Sequence, residues 1–339
     1  MSPSLAQIVA NPGKPFGLCG WPDIQRASQS RPSYVVADLV TPGIGLLVGP
    51  WGIGKTPFIL QLQQTLSAGL SFFLGRYKTR SETMTTVYVD FENGAGGMEM
   101  MLKNLAVHLG LKEPAPNAFY WGVNYSEIPD GNSVKYSQIV AEIVRKMKPH
   151  VVFIDPLRMY DPNAETGNDH AARMLTELRK ISKQTGTTFV IIHHPGKGDK
   201  KFVYSLADDP HAWFDQACGS SALISNTDFR IGLEKQKDDT ILLRSYIRNY
   251  GWAAMEKLEH EMSEDDEPKP IGFKICTGLA SLSELEREQY ESLPETFTTQ
   301  QAKGVFNRGA ESTNAKLNRW LKAKLVKKLE RGLWKKLVT

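Results

Sequence analysis

The chain has 339 residues, 41 Lys and Arg against 37 Asp and Glu, and a hydrophobic fraction of 41%. That length suits a core domain plus a small accessory one, and no window nears the ~18 unbroken apolar residues of a membrane span. Three scattered cysteines, Cys19, Cys218 and Cys276, exclude a disulfide framework or zinc spacing and point to a reducing cytoplasm.

In chain order, Met1 to Asn11 carries no Lys or Arg and no long apolar run, so no secretory leader is expected. Residues 1–35 hold Pro3, Pro12, Pro15, Pro22 and Pro32 and read as an irregular arm, packed on the core or on a neighbouring subunit. From residue 36, short apolar runs alternate with helix-period segments, the pattern of a mostly parallel sheet covered by helices on both faces. Strands are expected at Gly45 to Val48, Thr86 to Phe91, Phe119 to Val123, Val151 to Ile154, Phe189 to Ile192, Phe229 to Leu233, Thr240 to Tyr246 and Gly272 to Cys276. Helices are expected at Lys55 to Ala68, Met98 to Leu109, Tyr136 to Met147 and Ala171 to Thr185. Pro195 to Cys218 reads as one long loop, and the acidic, Pro-bearing Ser263 to Pro270 as a linker.

The run Gly49-Pro50-Trp51-Gly52-Ile53-Gly54-Lys55-Thr56 sits between an apolar strand and a helix. Gly49, Gly52 and Gly54 let backbone amides point at phosphates, and the helix N-terminus adds positive charge. Lys55 is placed to neutralise β and γ phosphates and Thr56 to ligate Mg2+, with Pro57 tolerated in the first helical turn. Asp155 ends an apolar strand and is the second magnesium candidate. Glu92 follows the strand ending at Phe91 and is the candidate base for an attacking water, with Asp90 on the same face as its rival. His193 and His194 end another strand, where one of them can report on a γ-phosphate.

Together these residues resemble a RecA-like family that includes the plasmid RepA-type hexameric replicative helicases, over Val35 to Trp252. The matching pieces are Tyr34-Val35-Val36-Ala37-Asp38-Leu39, the stretch Ala68 to Arg76, Val87 to Glu92, Val152 to Arg158, His193 to Gly198, Gly219-Ser220-Ser221 and Arg248-Asn249-Tyr250-Gly251. The resemblance implies a RecA-like ATPase domain over residues 36–278, with Glu92 as catalytic glutamate. It also implies a ring or filament in which an arginine from the neighbour completes each ATP site. Arg230 and Arg248 are the candidates, Arg244 a third; a lysine common before Asn-Tyr-Gly in that family is absent here. In RecA-like motors the loop after Lys197 faces DNA, so Lys197, Lys200 and Lys201 are candidate contacts to single-stranded DNA.

From Ser312 to Thr339 nine basic residues stand against one acid, a segment charge of +8. Such a segment fits an anionic partner or a solvated tail. Residues 279–339 read as helix, helix, turn, helix, hairpin: Ser283 to Leu293, Thr298 to Phe306 with a Thr cap, Ser312 to Lys324, then Leu325 to Leu337. This order resembles winged helix-turn-helix domains that bind double-stranded DNA. The third helix is expected to present Lys316, Arg319 and Lys322, and the wing Lys327, Lys328, Lys335 and Lys336. The combined expectation is an oligomeric, Mg2+-dependent and DNA-dependent ATPase of the helicase type. An ATP-switched DNA-binding regulator and a filament-forming recombinase are the alternatives.

Overall fold

Strands buried on both faces read as unbroken apolar runs, and in this chain those runs become the middle of one large sheet. The chain is seen in a computed structural model, which describes residues 21–22, 24–25, 33–123, 136–165, 167–195, 204–263, 269–282, 284–307 and 309–337. The first elements are β1 (Ile44–Val48), α1 (Lys55–Ser67), β2 (Phe72–Phe73), β3 (Tyr77–Lys78), β4 (Thr86–Asp90), α2 (Ala95–His108) and β5 (Ala118–Trp121). They are followed by α3 (Tyr136–Met147), β6 (Val151–Asp155), α4 (Leu157–Tyr160), α5 (Asn168–Thr185), β7 (Thr188–His193), α6 (Pro210–Cys218) and α7 (Ser221–Ser225). Then come β8 (Phe229–Lys235), β9 (Ile241–Ile247), β10 (Gly251–Met262) and β11 (Pro270–Ile275). The last are α8 (Glu284–Ser292), β12 (Thr296–Thr298), α9 (Thr299–Phe306), α10 (Ala310–Lys322), β13 (Val326–Glu330) and β14 (Leu333–Lys336).

Nine strands form the main sheet in the order β11-β10-β9-β8-β1-β7-β6-β4-β5. The six from β8 to β5 are parallel, whereas β9, β10 and β11 add on antiparallel. This is the expected RecA-like α/β fold. Side-chain alternation splits the core. Leu47, Tyr88, Phe153 and Val190 pack with α1 and α2 on one face, and Leu46, Val87, Val152 and Ile191 pack with α3, α5, α6 and α7 on the other. A third apolar cluster, including Tyr290, Phe306, Leu317, Trp320 and Trp334, holds the C-terminal elements, whose small sheet runs β12-β14-β13.

Two sequence expectations change. The stretch Pro195 to Cys218 is not all loop: Asp209 caps α6, its carboxylate accepting from Ala212 N at 3.0 Å, with Pro210 in the first turn. β10 was not expected, because Met255, Leu258 and the charges between them imitate helical spacing; its partners β9 and β11 decide its conformation. The N-terminal arm lies almost wholly outside the described residues. Among them no helix is long and apolar enough to cross a membrane.

Candidate active site

The phosphate loop links the end of β1 to α1. Gly52 and Gly54 have positive φ, 77° and 90°, and a Cβ on Gly54 would meet the Phe273 ring at 2.7 Å. Pro57 lies in the first turn of α1, where no amide is needed; the first helical bond runs from Phe58 N to Gly54 O at 3.0 Å. Lys55 is buried, and its ammonium donates to Gly49 O and Pro50 O, each at 2.7 Å. Burial lowers its pKa to about 8, against the raising fields of Asp155 and Glu92.

Parallel pairing of β4 with β6 puts Asp90 beside Asp155 at the same sheet edge. Both are fully buried and their roles differ. Asp155 accepts from the Thr56 hydroxyl at 2.8 Å and from the Tyr88 hydroxyl on the same oxygen, Oδ2. Its Oδ1 has no hydrogen-bond partner among the described residues. A buried carboxylate oxygen left open beside a threonine hydroxyl fits a hard divalent cation such as Mg2+. Asp90 Oδ1 accepts from Glu92 N, Asn93 N and Asn93 Nδ2, each at 3.0 Å. Burial raises its pKa, those donors lower it, and Asp155 raises it further. Asp90 therefore builds the turn that carries Glu92, whose own carboxylate is exposed.

His194 Nε2 lies 3.9 Å from Asp155 Oδ1 and 4.0 Å from Glu92 Oε2. Glu92, Asp155 and His194 offer ligand atoms all within 4.8 Å of one another, a group able to hold a metal ion. His193 does not join them. It continues the face of Phe189 and Ile191, is buried, contacts Ala217 O at 3.2 Å and lies 3.5 Å from Glu165 Oε1. Burial alone raises the pKa of Glu165, but His193 and Arg158 outweigh it and hold the carboxyl below its ordinary value. Tyr88 and Glu165 escaped sequence reading. Tyr88 was findable, two residues before Asp90 on the same strand face; Glu165 is brought in by a turn with no motif.

The arginines fall elsewhere. Ile247 pairs with Phe229 at the start of β8, so the β9–β10 turn lies at the sheet edge opposite the phosphate loop. Arg248 is exposed in that turn. Arg230 is 6% exposed, its guanidinium 4.3 Å from the Tyr246 ring centre and 5.5 Å from that of Phe214. It is packed inside its own chain and, so placed, does not extend to a neighbouring copy. Arg244 donates to Leu206 O at 3.1 Å and covers Trp252.

The basic C-terminal residues separate likewise. Lys316 does not point outward as expected. It is 5% exposed, donates to Gln289 Oε1, pairs with Glu286 at 3.5 Å and lies over Phe306 and Trp320. The same Glu286 holds Arg319, which is also attracted by Glu256 of β10. Lys335 pairs with Glu295 at 3.0 Å, and Lys336 donates to Glu291 O at 3.2 Å. Lys327 and Lys328 are exposed on β13. Lys197, Lys200, Lys201 and the side chain of Lys322 lie outside the described residues.

A mostly parallel sheet with its phosphate loop on a central strand is the frame of the P-loop ATPases, and here Lys55 and Thr56 open α1 while Asp155 ends β6 and accepts from the Thr56 hydroxyl. A family model described as an AAA domain matches residues 18–200, more than half of the chain, and the chain belongs to that family of nucleotide-binding P-loop ATPases.

Proposed function

We propose that this chain is a DNA-dependent RecA-like motor that hydrolyses ATP, a hexameric replicative helicase of a plasmid, phage or other mobile element. The observation that carries the hydrolytic half is the convergence of Glu92, Asp155 and His194 beside Lys55 and Thr56. The glycine amides and Lys55 bind the β and γ phosphates. Thr56 and Asp155 would hold Mg2+, which would neutralise developing charge when bound. Glu92 accepts a proton from the water that attacks the γ-phosphorus; the bond to the β–γ bridging oxygen breaks and ADP leaves with its electron pair. Asp90 fixes the turn under Glu92. His194 is the residue on which γ-phosphate occupancy is felt, at the root of the loop expected to meet single-stranded DNA. The arginine completing the site comes from a second copy, because Arg248 lies at the opposite sheet edge.

Residues 279–339 form a winged helix-turn-helix unit in this reading, residues 36–278 the motor domain. The order α8, β12, α9, α10, β13, β14, with its own apolar cluster, supports it. That unit also favours the second reading, an ATP-switched DNA-binding regulator without translocation. Both readings are tested by measuring ATPase rate with and without single- and double-stranded DNA, strand displacement on a forked duplex, and mass in solution. The motor reading expects stimulation by single strands, unwinding, and a ring-sized mass. Lys55→Ala abolishes both activities, and Glu92→Gln lowers kcat about 100- to 10,000-fold. ATPase activity without unwinding leaves the regulator, and a rate indifferent to every nucleic acid removes DNA dependence.

A further inference from the structure

The helix expected to carry positive charge to DNA buries one of its cations, Lys316, and pairs a second, the exposed Arg319, with an acid of its own chain. α8 is acidic, and its Glu286 receives both Lys316 and Arg319. What α10 turns to solvent, among its described side chains, is Asn314 and Asn318, with Ser312, Ala315 and Leu321 beside them and Arg319, whose charge Glu286 offsets. Asn314 and Asn318 are four residues apart and so share one face. Neither makes a side-chain hydrogen bond among the described residues. Exposed cations sit on the neighbouring β13–β14 ribbon at Lys327, Lys328 and Arg331.

Resting on the reading of residues 279–339 as a DNA-binding unit, we propose that Asn314 and Asn318 read base edges of duplex DNA in the major groove. A carboxamide carries a donor and an acceptor side by side, which matches adenine N6 and N7. A lysine in the same position supplies charge without that pattern. The Ala315 methyl is suited to the methyl of thymine. The ribbon cations supply the phosphate contacts that position the helix without reading sequence. Charge and readout are thus divided between two elements, and the unit selects A·T-containing duplex sites rather than binding all duplexes alike. Duplex RNA does not fit, because its major groove is too narrow for side chains to read.

The test uses the full chain. A pool of random duplexes is selected on it, and the enriched duplex is compared with a scrambled one by fluorescence anisotropy at two salt concentrations. An enriched motif containing adenines is expected. Asn314→Ala with Asn318→Ala removes the preference, about tenfold or more, and leaves affinity for the scrambled duplex within about twofold of wild type because no phosphate contact is lost. Alanine is a good helix former, so the exposed substitutions keep the fold, and circular dichroism checks this. Lys327→Ala with Lys328→Ala weakens both duplexes equally and reduces the salt slope by about two. Duplex binding with no enriched motif, or a motif that survives the asparagine substitutions, overturns this inference and leaves the DNA-binding reading standing. No binding to any duplex overturns that reading itself. Preference for duplex RNA overturns the major-groove assignment.

Discussion

Lys55 meets two conflicting demands. Burial among loop carbonyls disfavours its ammonium, and the carboxylates of Asp155 and Glu92 restore only part of that loss, so its pKa falls to about 8. A triphosphate brings several negative charges against the same nitrogen and drives its pKa back up. The sign follows. Below pH 8 the nucleotide-free chain already holds the proton and binding takes up none. Above pH 8 it must gain one, about half a proton at pH 8 and nearly one at pH 9. Affinity for ATP should therefore decline as pH rises past 8, approaching tenfold per unit. Calorimetry at pH 8.5 in buffers of different ionisation enthalpy measures this uptake directly, and Lys55→Ala should abolish it. Zero linkage, or proton release, contradicts the assignment. Much of this site was legible in the sequence, since Gly49 to Thr56 are contiguous and Asp155 ends an apolar strand. The division between the histidines was legible too, through alternation: His193 continues Phe189 and Ile191, so it turns inward, and His194 turns to the side of Asp155 and Glu92. Lys316 shares the stripe of Thr313, Leu317 and Trp320, which already marks it as inward.

α1 is buried along nearly its whole length, including Gln61, Gln63 and Gln64. An amphipathic reading misses this, because the helix is covered by the sheet as far as its edge strand β11 and by α2 as well. β11 is the edge strand, and Gln61 covers it: Nε2 donates to Phe273 O at 2.9 Å and Oε1 accepts from Phe273 N at 2.8 Å. His108 on α2 meets the same amide at 2.8 Å and pairs with Glu261 at 3.2 Å. Gln61→Leu keeps roughly the volume and strands two buried backbone groups, each costing about 1–3 kcal/mol. The expected loss of unfolding free energy is about 2–4 kcal/mol. Gln63→Leu, which gives up a single bond of 3.3 Å to Phe119 O, should lose under about 1.5 kcal/mol. Urea denaturation of the two variants separates them; equal losses would mean that Gln61 does not anchor the edge. None of this was legible locally, because Gln61 and Phe273 are 212 positions apart. The helix itself was, and so was α9, whose Thr298 cap forms a full capping box with Gln301.

At the scale of the whole molecule, the sheet separates the phosphate loop from Arg248. β1 delivers the loop to one edge, and the β9–β10 turn carries Arg248 to the other. A chain that keeps its nucleotide and its exposed arginine on opposite edges is suited to head-to-tail assembly, in which the arginine of one copy faces the nucleotide of the next. The arrangement predicts complementation. Arg248→Ala leaves each phosphate loop intact and removes the arginine offered to the neighbour. Lys55→Ala does the reverse. Each variant alone should lose most ATPase activity, by about a thousandfold where an arginine finger is lost. Co-expressed in equal amounts, the two should regain activity. An Arg248→Ala chain next to a Lys55→Ala chain in the right order forms one complete site, which random mixing produces at about a quarter of the interfaces. Glu92→Gln paired with Lys55→Ala should regain nothing, because both lesions lie on the nucleotide side of the interface. Recovery in the first mixture and not the second places Arg248 in trans. No recovery in either, from assemblies of wild-type mass, shows that Arg248 is not the arginine that crosses, and the same mixture made with Arg230→Ala then tests whether Arg230 swings out of its aromatic pocket on assembly.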